Sequence, residues 1–190
     1  MNRLIFFGPP GAGKGTQAKI ISDLLKIPHL STGEILRSKI QEKDGLALEL
    51  RKIMTSGKLI SDEILNSIVS SRLKNFSDTG FILDGYPRTI MQYEFLNNFL
   101  ENLSIKLNFI FNIEIDYDIL KQRIIKRSSE EGREDDKIDI LKTRHSEYTV
   151  NTRKVSELYR QSYSNIFYQI DGSLKIEEIT KKIIEILKKS

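Results

Sequence analysis

Apolar residues along the chain fall in short blocks that alternate with stretches of helical spacing. Leu4-Ile5-Phe6-Phe7 is one block, opening a strand from Arg3 to Phe7. Others lie at His29-Leu30, Phe81 to Leu83, Phe109 to Ile115 and Ile166 to Ile170. These blocks are too continuously apolar to alternate between core and water, which predicts strands buried on both faces. Between them the spacing predicts helices over Lys14 to Leu25, Ile64 to Leu73, Thr89 to Leu100 and Tyr117 to Lys126. The C-terminal pattern is the cleanest: Ile176, Ile179, Ile183 and Leu187 share a face, with Ser173 as the expected N-cap and Lys188-Lys189 at the end. Strands alternating with helices predict an α/β domain on a parallel sheet.

Two regions break the rhythm. Residues 31–60 are helical in pattern with no convincing strand, so a helical insertion apart from the sheet is expected. Residues 128–137, Ser-Ser-Glu-Glu-Gly-Arg-Glu-Asp-Asp-Lys, are charge-dense and expected to form a polar loop. There is no internal repeat or low-complexity tract.

Composition narrows the class. A chain of 190 residues can bury one substantial core, which favours a single domain. At 39% hydrophobic and 29% charged residues it matches an ordinary soluble globular protein. No apolar run reaches the roughly 20 residues that span a bilayer. The opening apolar block is too short for a signal peptide and meets Gly8-Pro9-Pro10 without a small-residue cleavage site, so a cytoplasmic protein is expected. With no cysteine there is neither a disulfide framework nor a Cys-type zinc site. The net charge of +4 raises an anionic partner. Lysines interspersed with Asp and Glu, and the lack of any nucleic-acid motif, argue against DNA or RNA.

The chemistry begins at Gly8-Pro9-Pro10-Gly11-Ala12-Gly13-Lys14-Gly15-Thr16, between a predicted strand and a predicted helix. Glycines let successive backbone N–H groups approach phosphate oxygens, and the helix N-terminus adds free donors and the positive end of its dipole. Lys14 supplies a mobile charge that can follow a transferring phosphoryl group. The usual pattern places Ser or Thr directly after the lysine; here that position is Gly15, and the hydroxyl comes at Thr16.

Further motifs follow in order: Leu30-Ser31-Thr32-Gly33-Glu34-Ile35-Leu36-Arg37, then Gly57-Lys58-Leu59-Ile60, then Gly80-Phe81-Ile82-Leu83-Asp84-Gly85-Tyr86-Pro87-Arg88-Thr89 with Gln92. Arg123, Arg127, Arg133 and Arg144 complete the set. Taken together, across nearly the whole chain, these resemble the adenylate kinase family in its short-lid form. The resemblance implies a three-layer phosphate-loop fold with a five-stranded parallel sheet flanked by helices. It also implies a single kinase domain over 1–190, a nucleoside-monophosphate-binding subdomain over 31–60 and a short lid over 127–137.

Residue roles carried by the resemblance also make chemical sense. Gly11, Ala12, Gly13, Lys14, Gly15 and Thr16 would bind ATP, with Arg123, Arg127, Gly172 and Ser173 at the same nucleotide. Thr32 would border the acceptor base and Arg37 would bind its phosphate. The backbone of Lys58, Leu59 and Ile60 would contact the same nucleotide, together with Gly85, Arg88, Arg133 and Arg144. Gln92 offers a donor and an acceptor, which suits an adenine edge. Asp84 ends an apolar strand at the sheet edge where ligands bind, and by resemblance holds Mg²⁺ through water. Ser31-x-x-Glu34 is also a capping box and is expected to cap its helix. Six of the eleven arginines sit at motif positions, where a planar fork that grips phosphate is needed and lysine cannot replace it.

The implied reaction is MgATP + AMP ⇌ MgADP + ADP, carried by Lys14, Arg88, Arg123, Arg133 and Arg144 with Mg²⁺, in a monomer whose partners are ATP, AMP and ADP, with no membrane partner. The acceptor oxygen is already ionised, so no general base is needed. His29 is accordingly expected to pack beside its strand and His145 to lie on a helix face. Three rivals remain: a UMP/CMP kinase on the same scaffold, disfavoured by Thr32 and by Thr89-Ile90-Met91-Gln92; a nucleotide hydrolase or switch, for which an acceptor-phosphate arginine at 37 would have no use; and a non-catalytic binding or assembly module, against which the retention of Lys14, Asp84 and every motif arginine argues.

Overall fold

The computed structural model describes residues 1–42, 45–76 and 79–189. Five strands, β1 (Arg3–Phe7), β2 (His29–Ser31), β3 (Phe81–Asp84), β4 (Phe109–Glu114) and β5 (Phe167–Asp171), form one sheet in the order β2-β3-β1-β4-β5. All neighbours run parallel. Every residue of β3 is buried, as are all but the first of β1 and all but the last of β4, as central strands covered on both faces require.

The two faces bury different side chains of the same strands. Leu4, Phe6, Ile82 and Phe111 pack with Ala18 and Ile21 of α1 (Lys14–Leu25) and Ile179 and Ile183 of α9 (Ile176–Leu187). Ile5, Phe7, Leu83 and Ile110 face α4 (Asp62–Lys74), α5 (Ile90–Asn102) and α8 (Arg153–Ser162). The chain runs from β1 outward through β2 to β3 and then crosses β1 to reach β4. The sheet therefore changes direction at β1, and a crevice forms at the carboxyl ends of β1 and β3. Phe6 pairs with Asp84 there.

The helical segment expected over 31–60 begins one residue later, at Thr32, because Ser31 still pairs in the sheet. Ser31 ends β2, and α2 (Thr32–Ile40) and α3 (Gly45–Thr55) follow; residues 43 and 44 lie outside the described residues. The charged segment differs from expectation. Helix α6 runs from Tyr117 to Glu131, so residues 128–131 are helical and Gly132 ends the helix in the left-handed region. A 3-10 turn, Glu134–Asp136, then leads into α7 (Ile138–Glu147) and a π-helical turn, Tyr148–Thr152, that joins α8. Ser173 is not the cap of the last helix. Its N–H and hydroxyl are both taken by Asp171 Oδ1, at 2.8 and 2.6 Å, so the cap position moves to Lys175. Among the described residues no helix is long and apolar enough to cross a membrane.

Candidate active site

The phosphate loop leaves β1 and opens α1, with Gly13 in the left-handed region at the cap position. Lys14 folds back over this loop. Its Nζ donates to the carbonyls of Gly8 and Pro9 at 2.8 and 2.9 Å. Burial lowers its pKa to about 7; Asp84 opposes the shift, while Arg88, Arg144 and Arg127 add to it. An ammonium at the mouth of a glycine-rich loop and a helix N-terminus, with guanidinium groups near it, is the arrangement that favours binding of an anion such as phosphate in the space beside it.

Asp84 ends β3 on the other side of that space and is 7% exposed. A Cβ on Gly15 would stand 3.3 Å from Asp84 Oδ2, so the small residue after Lys14 leaves the carboxylate its room. His29 Nε2 lies 3.3 Å from the same oxygen, which makes it more than the packing residue expected from sequence. Burial would raise the Asp84 pKa, but the contact with His29 and the charges of Lys14 and Arg88 outweigh it and hold the carboxyl below its usual range.

The acceptor side is built around Gly85. Its φ is +78°, and a Cβ there would lie 2.7 Å from Arg88 Nη2 and 2.9 Å from Thr32 Oγ1. Only glycine serves both the conformation and the approach. Thr32 Oγ1 and Arg88 Nε both donate to the Gly85 carbonyl, at 2.9 and 2.7 Å. Burial and neighbouring Arg144 push the Arg88 guanidinium down to about 10, against the pull of Asp84 and Asp135. The capping box holds on one side: Ser31 Oγ accepts from the Glu34 N–H.

One cleft joins these parts. Lys14, Thr32, Arg37, Gly85, Arg88 and Arg144 line it, and Lys58, Leu59 and Ile60 form part of its wall. The phosphate-loop lysine and the acceptor-side arginines thus face a single space. Sequence reasoning did not foresee Asp135, Glu147, Tyr148 or Thr152 in the same lining.

A family model described as adenylate kinase matches residues 6–164. The chain belongs to the adenylate kinase family. It is 40% identical over 183 residues to an adenylate kinase of Xylella fastidiosa, covering 96% of this chain and 97% of the relative. It is 39% identical over 186 residues to one of Leptospira biflexa, covering 97% and 99%, and 37% identical over 186 residues to one of Nocardioides sp., covering 97% and 96%. The protein is accordingly an enzyme that transfers phosphoryl groups between ATP and AMP.

Within this adenylate kinase the arginines expected at the lid are already engaged. Arg127 makes two bonds of 2.6 Å to Asp136, and Arg144 Nη1 lies 2.8 Å from Asp136 Oδ1 and 3.0 Å from Asp135 Oδ2. Arg37 stands 3.9 Å from Asp135. Asp136 is 1% exposed, and although burial opposes it, Arg127 and Arg144 hold its carboxyl below the usual value. These two aspartates read in the sequence as part of a solvated charge run, because charge density alone does not tell a buried carboxylate from an exposed one.

Twelve of the expected site residues lie outside the cleft lining, among them Asp84, Arg127 and every expected phosphate-loop residue but Lys14. Arg133 turns to Glu131 at 2.5 Å, although its charge, after burial, helps lower the Arg37 pKa. Arg123 reaches the carbonyls of Ser173 and Leu174 at 3.5 Å, close to the segment expected near the ATP base. Gly172 tucks against β4, its N–H donating to the Glu114 carbonyl at 2.6 Å. Gln92 is 0% exposed, with its amide bonded to the Arg88 N–H and to Asp62. Each end of that amide retains one further hydrogen-bonding capacity.

Among the described residues no group of three His, Cys, Asp or Glu side chains could hold a metal ion. Asp84 beside the phosphate loop fits a different arrangement. A magnesium ion that arrives on ATP phosphates and keeps much of its water needs only one or two carboxylates.

Proposed function

We propose that the cleft joins the two nucleotides of MgATP + AMP ⇌ MgADP + ADP phosphate to phosphate, with Lys14, Arg88 and Arg144 at their meeting point. The observation that carries this is the single lining that Lys14 shares with Thr32, Arg37, Arg88 and Arg144. Gly11, Ala12, Gly13, Gly15 and Thr16 would cradle the ATP phosphates, and Gly172 and Ser173 would border its base. On the acceptor side, Arg37 would take the AMP phosphate, while Thr32, Gly85, Gln92 and the Lys58 to Ile60 wall would hold the nucleoside. Asp84 would hold hydrated Mg²⁺, which neutralises charge on the β- and γ-phosphates.

Catalysis on this reading is positioning and charge cancellation, because the attacking phosphate oxygen carries no proton to remove. Lys14 would leave the Gly8 and Pro9 carbonyls for phosphate. Arg127 and Arg144 would exchange part of their aspartate contacts for phosphate oxygens, and Arg123 and Arg133 would approach as a lid over 127–137 closes. Closure over the 31–60 subdomain would keep water from the transferring group. The whole would act as a cytoplasmic monomer within one kinase domain.

A coupled assay with AMP, CMP and UMP as acceptors tests the assignment, together with a complex with diadenosine pentaphosphate. AMP is expected to be the preferred acceptor, with both adenosine ends bound in the one cleft. Equal turnover of CMP would overturn the acceptor assignment.

A further inference from the structure

Arg88 is held at both ends of its main chain, by Gln92 nearby in sequence and by Thr152 from a distant element. Its N–H donates to Gln92 Oε1 at 2.7 Å. Gln92 Nε2 donates to Asp62 Oδ1 at 2.7 Å, and the same oxygen accepts from Thr89 Oγ1 at 2.9 Å. On the other side, Thr152 Oγ1 donates to the Arg88 carbonyl at 3.2 Å. Gln92 is 0% and Thr152 7% exposed, so water does not readily replace either contact.

The chemistry of this chain allows one polarity. A main-chain N–H needs an acceptor and a carboxylate offers only acceptors, so the Gln92 amide must turn its oxygen to Arg88 and its nitrogen to Asp62. Asp62 opens α4, directly after the Lys58 to Ile60 wall of the cleft. Thr152 closes the π-helical turn that follows Arg144 and α7. Such turns recur at functional sites, and this one carries a hydroxyl to the Arg88 carbonyl. The elements that follow the two inserted segments therefore converge on one residue of the turn between β3 and α5.

We infer that Asp62 and Thr152 are positioning residues that grip the Arg88 main chain and so set where its guanidinium stands. Asp62 acts through Gln92, and Thr152 acts on the carbonyl directly. The inference rests on the role of Arg88 proposed above. The geometric tolerance of a charge-cancelling group is small: a misplacement of about 1 Å can cost on the order of a hundredfold in rate.

The test is a double-mutant cycle. Asp62→Ala and Thr152→Val are each made in the wild type and in Arg88→Ala, and kcat, the KM for each nucleotide and Tm are measured. Each single variant is expected to lower kcat by about tenfold with the KM for ATP unchanged, and by less than about twofold when Arg88 is already absent. A merely structural role would lower kcat by the same factor in both backgrounds and appear chiefly in Tm, and that result overturns the grip. Should Asp62→Ala fail to fold, Thr152→Val carries the test alone. If Arg88→Ala is impaired while both positioning variants turn over at the wild-type rate, only the grip falls. If Arg88→Ala itself keeps the wild-type rate, the role of Arg88 falls and the grip with it.

Discussion

Asp84 and Gly15 share one space: the carboxylate Oδ2 lies 3.3 Å from where a Gly15 side chain would begin. A glycine inside a helix is normally a local weakness, costing roughly 0.5–1 kcal/mol relative to alanine. Here it leaves room for the carboxylate that, on the proposed mechanism, would face the phosphates. Gly15→Ala is therefore expected to separate stability from activity. Tm should rise by about 2–4 °C for a gain near 1 kcal/mol, while kcat/KM for MgATP falls by about tenfold as Asp84 is displaced. Thermal melting and steady-state kinetics on the same preparation check both halves, and an unimpaired alanine variant would mean that the two residues do not compete.

The same pair shows what the sequence discloses and what it hides. Motif spacing placed the phosphate loop, Asp84 at a strand end and the Thr32 and Arg88 motifs, because each depends on local backbone geometry written in a few consecutive residues. Period and apolar runs likewise disclosed all five strands. The partners were hidden because they are distant in sequence. His29 meets Asp84 and Asp62 meets Gln92 only after the chain has folded back, while Asp135 and Asp136 meet Arg144 across a local turn whose geometry charge density does not reveal. Ser173 misled for a local reason: Asp171 competes for the hydroxyl that was expected to cap the last helix.

Lys14 gives a proton-linkage prediction. Burial lowers its pKa from 10.5 to about 7. Between those values the unfolded chain binds more protons than the folded one, so this residue's contribution to stability increases as pH rises through that window. Its burial penalty is largest below pH 7. On the proposed mechanism ATP phosphates would stand beside Nζ and raise the pKa again, so ATP binding at pH 8 is expected to take up close to one proton. Calorimetric titrations in buffers of different ionisation enthalpy measure this directly. No uptake, or equal uptake by Lys14→Met, would sink the account.

Asp136 gives a prediction of opposite sign in pH. Its carboxyl is held below the usual 3.8, chiefly by Arg127 and Arg144 against the cost of burial. Its contribution to stability is thus complete above that usual value and is lost as pH falls through the depressed one. Removing one partner of a buried pair strands the other, but Arg127 is partly exposed, so Asp136→Asn is expected to cost about 2 kcal/mol at pH 7. The gap between wild type and variant should close in acid. Urea unfolding at a series of pH values measures it, and a gap that persists below pH 2 would contradict the pairing.

Arg88→Lys tests the centre of the proposed mechanism. Arg88 spends Nε on the Gly85 carbonyl at 2.7 Å, and its Nη2 packs close over the Gly85 Cα. On the proposed mechanism the rest of the fork would take phosphate. An ammonium on a flexible stem cannot hold that carbonyl and two phosphate oxygens together, although it keeps the charge. Charge-assisted fork contacts aimed at a transferring group are worth several kcal/mol, so kcat is expected to fall by about a hundredfold or more. The KM for ATP should change little, because on the proposed mechanism Lys14 and the loop amides would bind that nucleotide without Arg88. Arg37→Lys should show the reverse split, raising the KM for AMP more than it lowers kcat. A near-wild-type kcat for Arg88→Lys would mean that charge alone suffices at this position, and the fork would then have no part in the transfer.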